Sequence, residues 1–393
     1  MAGPADETEW LKGTAGLWYT HPMDEKFFRN KVTWAMFILS IFVIWIHAVN
    51  IPLFYAGVPE ESGAVSAAGA AAAENGLWAG ALWIQNFLAG WLGQAAVPGF
   101  FMVSSYLFFR TYDPARLMQK WKSRCFSVVI PYAVWNTLYY LGYAAATRIP
   151  GLKEIVGRAE VPLSLSQWLE AVMGYAYAPV FWFLFQLILL ILLSPVLYYI
   201  LKNRWVGLMF LAALLACLYM RLVGGFPNTD ALIYYSAAGW LAIHGRRAVE
   251  SDDERRRIPA GLVFLAASAV CFYEMQIVMS LNLLWSVGYR MMFASALWLL
   301  TPAASLPKAR PWMKQSLYIY AVHFPVVRLM NKGGAMALKS VCADGFVLCA
   351  AAMALFFLIP VVVTAFSYGS ALFLGRRMSA VWRILSGGRS MGQ

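Results

Sequence analysis

The chain has 393 residues, 61% of them hydrophobic and 13% charged, with a net charge of +12. Apolar residues at this level, gathered in long blocks, exceed what a soluble fold of this length can bury and exclude a water-soluble globular protein. The surplus Lys and Arg sits at the ends of those blocks, so it reads as membrane topology and contact with anionic headgroups rather than as nucleic-acid binding.

The first thirty or so residues carry Asp6, Glu7, Glu9, Asp24 and Glu25, unlike the short basic start of a secretory signal, and no cleaved signal is expected. Beyond them, blocks of about twenty apolar residues predict ten spans. These lie near 32–53, 86–109, 125–147, 179–201, 205–223, 230–245, 259–280, 288–306, 315–333 and 345–374. The expected fold class is all-α, a polytopic membrane helix bundle of about ten transmembrane helices. Its transmembrane domain is expected over 32–375, with an N-terminal segment over 1–31, external loops at about 54–85 and 148–178, and a tail over 376–393. Most of the basic residues fall at junctions on one side, among them Lys26, Arg29, Arg110, Arg204, Arg246, Lys314 and Arg376. Cytoplasmic junctions retain Lys and Arg, which assigns both termini to the cytoplasm.

His47 lies inside the first span, where an ionisable side chain is costly to place and marks a functional interior. Thr33, Ser40 and His47 recur every seven residues and so share a helix face, with Asn50 one turn further. Lys31 to His47 is a rise of about 24 Å at ~1.5 Å per residue, which puts the imidazole nearer the outer side. Arg29, five turns before His47, shares its face at the inner mouth.

The loop that follows the second span holds Arg110, Arg116, Lys120, Lys122 and Arg124 around Trp121. Cations suit the phosphates of a coenzyme and the indole can stack on a purine, while the same cluster equally suits an anionic leaflet. His323 is about 13 Å of rise beyond Lys314 and is expected in the inner half of the ninth span, with Arg328 further out. Glu274 in the seventh span and Arg290 at the start of the eighth fit a substrate tunnel and quiet pairing inside the bundle equally well. His244 reads as an interfacial residue. Five cysteines without CxxC or His/Cys clustering indicate no metal site.

The segments Phe100-Phe101-Met102-Val103-Ser104-Ser105-Tyr106-Leu107, Ile130-Pro131-Tyr132, Phe181-Trp182-Phe183-Leu184 and Ser316-Leu317-Tyr318-Ile319-Tyr320-Ala321-Val322-His323 follow one another in this order. In this the chain resembles the acyltransferase-three membrane family over roughly residues 25–375. The resemblance implies an integral membrane O-acyltransferase that moves an acetyl or other short acyl group from cytoplasmic acyl-CoA to a hydroxyl of an outward-facing glycan or glycolipid. It implies acetyl-CoA or another acyl-CoA as co-substrate, a glycan or lipid-linked sugar as acceptor, no metal, and a multi-pass location in the plasma membrane, the bacterial inner membrane. The family's catalytic histidine maps onto His47, the expected general base, with His323 as a second catalytic candidate.

The basic residue that often stands eleven positions before that histidine is Met36 here, and Arg29 and Lys31 are the candidate replacements. They join Arg110, Arg116, Lys120, Lys122 and Arg124 as donor-binding candidates. The family's Ser-Gly pair reads Ser104-Ser105. Ser104, Asn136, Trp182, Tyr320, Glu274, Arg290 and Arg328 are the tunnel or oxyanion candidates. The alternative from another class is a transporter or glycan flippase that uses the intramembrane His and Arg residues to coordinate a substrate or relay protons. The sequence leaves the oligomeric state open.

Overall fold

A computed structural model describes residues 23–56, 62–276, 278 and 282–389. The N-terminal segment expected over 1–31 is therefore described only from residue 23, and Asp6, Glu7 and Glu9 lie outside the described residues. The described residues form helices and turns without a named strand. The first described helix is α1 (Glu25–Ala48), capped by the Asp24 side chain, which accepts from the Lys26 N–H. After a break at Val49 and Asn50 come α2 (Ile51–Ala56), α3 (Ser62–Ala73) and α4 (Gly76–Asn86). A π turn over Phe87–Leu92 and a 3₁₀ turn over Gly93–Ala95 carry α4 into α5 (Ala96–Phe109). Next are α6 (Leu117–Arg124), α7 (Ile130–Ala146), α8 (Leu152–Val156) and α9 (Leu165–Gly174), then α10 (Trp182–Leu192), α11 (Ser194–Leu201) and α12 (Arg204–Tyr219). The chain continues through α13 (Thr229–His244), α14 (Arg246–Val249), α15 (Glu254–Gln276) and α16 (Leu283–Leu300). It ends with α17 (Ser316–Arg328), α18 (Gly334–Val341), α19 (Gly345–Arg377) and α20 (Ser379–Leu385).

By length and apolarity, five helical stretches can cross a membrane: Glu25–Ala56, Gly76–Phe109, Glu254–Gln276, Leu283–Leu300 and Gly345–Arg377. Two bent pairs, Leu165–Gly174 with Pro179–Leu192 at 48° and Ser194–Leu201 with Arg204–Tyr219 at 117°, raise the number to seven. Of the ten spans expected, five to seven meet that length and apolarity among the described residues. The blocks at 125–147, 230–245 and 315–333 are helical, but α13 has only 16 residues and α17 turns into a π turn after 13. In α7 the buried face is Tyr132, Trp135, Asn136, Tyr139 and Tyr140, side chains that pack against protein and lower the apolarity that a lipid-facing helix needs. The stretch expected as an external loop at 54–85 contains α3 and α4, and the one at 148–178 contains α8 and α9.

The centre of the bundle is α1, covered by α5, α17, α19 and the π turn before α5. Close approach there depends on small residues. A Cβ at Gly99 would come within 2.8 Å of the Leu39 methyls, and one at Gly93 within 2.9 Å of Ile46 Cγ1 and 3.3 Å of the Phe42 carbonyl oxygen. The α5–α13 contact uses the same device, with Gly239 against the Phe109 ring and Ser105 Oγ donating to the Tyr235 carbonyl. Backbone oxygens cannot step aside as a rotamer can, so Gly93→Val should destabilise by about 1–3 kcal/mol. The thermal midpoint of the detergent-solubilised protein, followed by tryptophan fluorescence, checks this; an unchanged midpoint would contradict the packing described.

Both ends of the described chain meet at one basic face. Glu25 pairs with Arg110, and Gly387, held at φ +67° where a side chain is strained, closes against the Ser127 carbonyl. The α15–α16 hairpin lies at the edge of the bundle and buries little of α15.

Candidate active site

His47 occupies the last turn of α1, and His323 lies in α17. Their rings are 5.3 Å apart between centroids, and the Phe324 ring meets His47 edge-on at 5.5 Å. His323 is fully buried. Its Nδ1 sits 2.6 Å from the Tyr320 carbonyl oxygen, which can only accept. That contact assigns the proton to Nδ1 and leaves Nε2, which has no partner among the described residues, as a free acceptor beside His47.

His323 was expected in the inner half of its span, yet it is level with His47. The cause is the segment before α17, which runs alongside α1 instead of lying at the membrane edge. The Asn30 amide donates to the Leu306 and Pro307 carbonyls and accepts from the Ala309 N–H, and Trp34 Nε1 donates to the Pro307 carbonyl. Trp312 then packs edge-on against Phe37. Eleven residues beyond Trp312 reach His323 and ten beyond Phe37 reach His47, so parallel helices bring the two imidazoles together. Lys314, used as the starting depth, was the wrong reference.

Immediately after His47 the helix breaks, and a buried amide knot satisfies the freed backbone. Gln85 Nε2 donates to Asn50 Oδ1 at 2.8 Å, while Gln85 Oε1 accepts from the Asn50 and Ile51 N–H groups. Asn50 Nδ2 donates to Asn331 Oδ1 and to the Ala352 carbonyl, and Asn331 Nδ2 returns to the Ala48 carbonyl at 3.2 Å. Four helical segments are thereby pinned around the carrier of His47. Gln85 and Asn331 escaped the sequence reading; the available signal was an amide inside an otherwise apolar run, which requires a buried partner. Gln85→Leu orphans three of these groups and should cost about 1–3 kcal/mol. A lower thermal midpoint together with lower activity is expected, and loss of neither would mean the knot is dispensable.

Several tunnel candidates are already committed to the protein. Tyr320 is buried and its hydroxyl donates to the Val180 carbonyl. Asn136 is buried, with Nδ2 on the Tyr132 carbonyl and Oδ1 unpartnered among the described residues. Trp182 packs against Phe101. Ser104 is half-buried on α5, one residue before the Ser105 contact with α13. Arg290 lies on α16 with Nε donating to the Tyr289 hydroxyl, and Glu274 lies on α15, which packs chiefly on α16. Arg328, five residues beyond His323, donates to the Tyr143 hydroxyl and the Val156 carbonyl.

The basic candidates also divide. Arg110 is not a free cation: it is held by Glu250 and Glu25, with its guanidinium 4.3 Å from the Phe28 ring centroid. Lys120 donates to the Phe108 carbonyl and Thr111 Oγ1 and lies over the Phe108 ring; burial brings its pKa down to about 8. Arg124 lies over the same ring. Arg116 and Lys122 are exposed, and Arg29 is exposed and paired with Glu25. Lys31 alone of the set is buried, its ammonium 4.5 Å from the Trp298 ring centroid in a cavity of about 230 Å³ among α1, α5, α13 and α16. Sixteen residues of helix turn Lys31 roughly 160° away from His47, so this cavity and the imidazole pair lie on opposite sides of α1. Among the described residues no group of His, Cys, Asp and Glu has the arrangement of a metal site.

Comparison with curated proteins and with solved structures returned no match. A sequence family described as an acyltransferase domain matches residues 29–368, a range that contains most of α1 with His47, the Phe-Trp-Phe-Leu segment and α17 with His323. The apolar helices make the protein a multi-pass membrane protein. With the match extending over most of the chain, it belongs to the acyltransferase-three family of membrane acyltransferases.

Proposed function

We propose that this membrane acyltransferase moves an acetyl or other short acyl group from a cytoplasmic acyl-CoA to a hydroxyl of an extracytoplasmic glycan or glycolipid, at the plasma membrane. The observation that carries the reading is the imidazole pair formed by half-buried His47 at the end of α1 and buried His323 on α17, far along α1 from the basic face. His47 is the general base: it takes the proton of the acceptor hydroxyl as that oxygen attacks the thioester carbonyl, and the coenzyme leaves as thiolate and is protonated. His323, with Nδ1 tied to the Tyr320 carbonyl, packs its ring 5.3 Å from that of His47 and keeps Nε2 free to accept from the same hydroxyl. Exposed Lys122, and Arg116 and Arg29 in solvent-exposed pairs with Asp113 and Glu25, are cations of the basic face that a phosphorylated donor can reach. Arg110 and Lys120 shape that face without binding the donor.

Mass spectrometry of envelope glycans and lipids from cells with and without the gene tests the reading. An increment of one acyl group that disappears with the gene is expected. Identical glycans and lipids in both would overturn it.

A further inference from the structure

We infer that the cavity beside the imidazole pair on its other side, between α7, α8 and α17, seats the acceptor, and that the acceptor is an anionic, amphiphilic saccharide. The identification of the occupant as an acceptor rests on the acyltransferase reading above; the charge and polarity of the site do not. The cavity measures about 330 Å³. Its floor is aromatic, with Trp135, Tyr139 and Tyr143 on α7. Phe324 forms the wall shared with His47, whose ring it meets at 5.5 Å. Flat aromatic faces of this kind match the apolar faces of pyranose rings.

Three further features narrow the ligand. The Arg328 guanidinium lines the cavity with Nη1 on the Tyr143 hydroxyl and Nη2 on the Val156 carbonyl, while its buried Nε has no partner among the described residues. No carboxylate pairs with it among those residues, so its full positive charge is available to a ligand. Around it stand Arg158, stacked over Tyr143 and Tyr177, and Lys332, whose ammonium lies against Gly157. The acids nearby are Glu160, which already pairs with Arg148, Glu154, and Glu170, which accepts from Gln167 beside Tyr177. The mouth therefore carries a cationic excess at the end of the bundle where positive charge is otherwise sparse. Finally, Leu138, Leu152 and Leu329 line the cavity yet are exposed, which gives the site an apolar rim suited to a hydrocarbon tail.

A lipid-linked phosphate and an acidic sugar present the same anion to Arg328, and the test separates them. Full-length protein in phosphatidylcholine nanodiscs is titrated by calorimetry with octyl glucoside, octyl glucuronide and dodecyl phosphate. At least one anionic probe should bind roughly tenfold or more tightly than octyl glucoside, the tighter of the two identifying where the charge resides. Arg328→Gln should remove that advantage, Arg328→Lys should restore part of it, and Lys332→Gln, at the rim, should reduce it without touching the fold. Equal affinity for neutral and anionic probes, or anionic binding unchanged in both Gln variants, overturns the inference. His47→Ala should retain the probe affinity of the wild type. Acyl transfer that persists with charge-blind probe binding would thus refute this site alone. Arg328-dependent binding without any acyl transfer would refute the acyltransfer reading and leave the site standing.

Discussion

In membranes supplied with labelled acetyl-CoA and the acceptor, His47→Ala should reduce acyl transfer by roughly 10²–10⁴-fold, with expression and thermal midpoint close to wild type. The size follows from the role: a hydroxyl is a poor nucleophile until its proton is taken, and among the described residues the other imidazole beside His47 is that of His323, whose free Nε2 leaves the residual transfer that keeps the loss within this range. Stability should change little because His47 ends a helix whose terminus is held by the Gln85, Asn50 and Asn331 amides rather than by the imidazole. His323→Ala should lower transfer too, and the double variant should fall below His47→Ala alone, because the residual transfer then loses its remaining base. A double variant no worse than His47→Ala would show that His323 supplies none of it. Undiminished transfer by His47→Ala would remove the general base from the mechanism.

Much of this site was readable because an imidazole in an apolar run is a costly exception, and because the ordered segments around Ser104, Trp182 and His323 survive any error in span boundaries. What was not readable is depth. His323 reaches His47 only because residues 306–312 run beside Asn30, Trp34 and Phe37, a long-range arrangement that no local periodicity encodes. Fewer helices than the ten expected spans have the length and apolarity of a crossing for a related reason: the helices within blocks 230–245 and 315–333 stop or turn early, and α7 carries tyrosines and a tryptophan that face protein. The basic loop was legible as charge but not as charge already in use. Arg110 and Lys120 turn inward onto Glu250 and the Phe108 carbonyl, whereas Arg116 and Lys122 remain exposed. Gln85 and Asn331 carried a signal, but a single amide in a hydrophobic block resembles an interruption until its partner is seen.

Removing Glu250 should be among the most destabilising single changes in the protein, at about 3 kcal/mol for Glu250→Ala. Only 2% of this side chain is exposed, and it accepts from Arg110 Nε at 2.7 Å, Arg110 Nη2 at 3.0 Å, the Tyr106 hydroxyl at 2.7 Å and Arg246 Nε at 2.9 Å. Its loss leaves the Arg110 side chain, 9% exposed, with only the half-exposed Glu25 as counter-ion. Replacing both partners by apolar residues, as in Arg110→Met with Glu250→Leu, should recover most of the loss, because an unpaired buried charge costs more than no charge at all. The pH dependence has a definite sign. Burial alone would raise the Glu250 pKa, but the hydrogen bonds from Arg110, Tyr106 and Arg246 overcome it and hold the carboxyl below its usual value of 4.5. A depressed folded-state pKa contributes stability that is fully present above about pH 4.5 and disappears as the pH falls through the lower folded value. The midpoint difference between wild type and Glu250→Ala should therefore be constant from neutral pH down to about pH 5 and shrink below it. A difference that grows on acidification would mean the carboxylate is not held by these donors, and with it would go the tie that joins the start of α1, the end of α5 and α14 at the basic face.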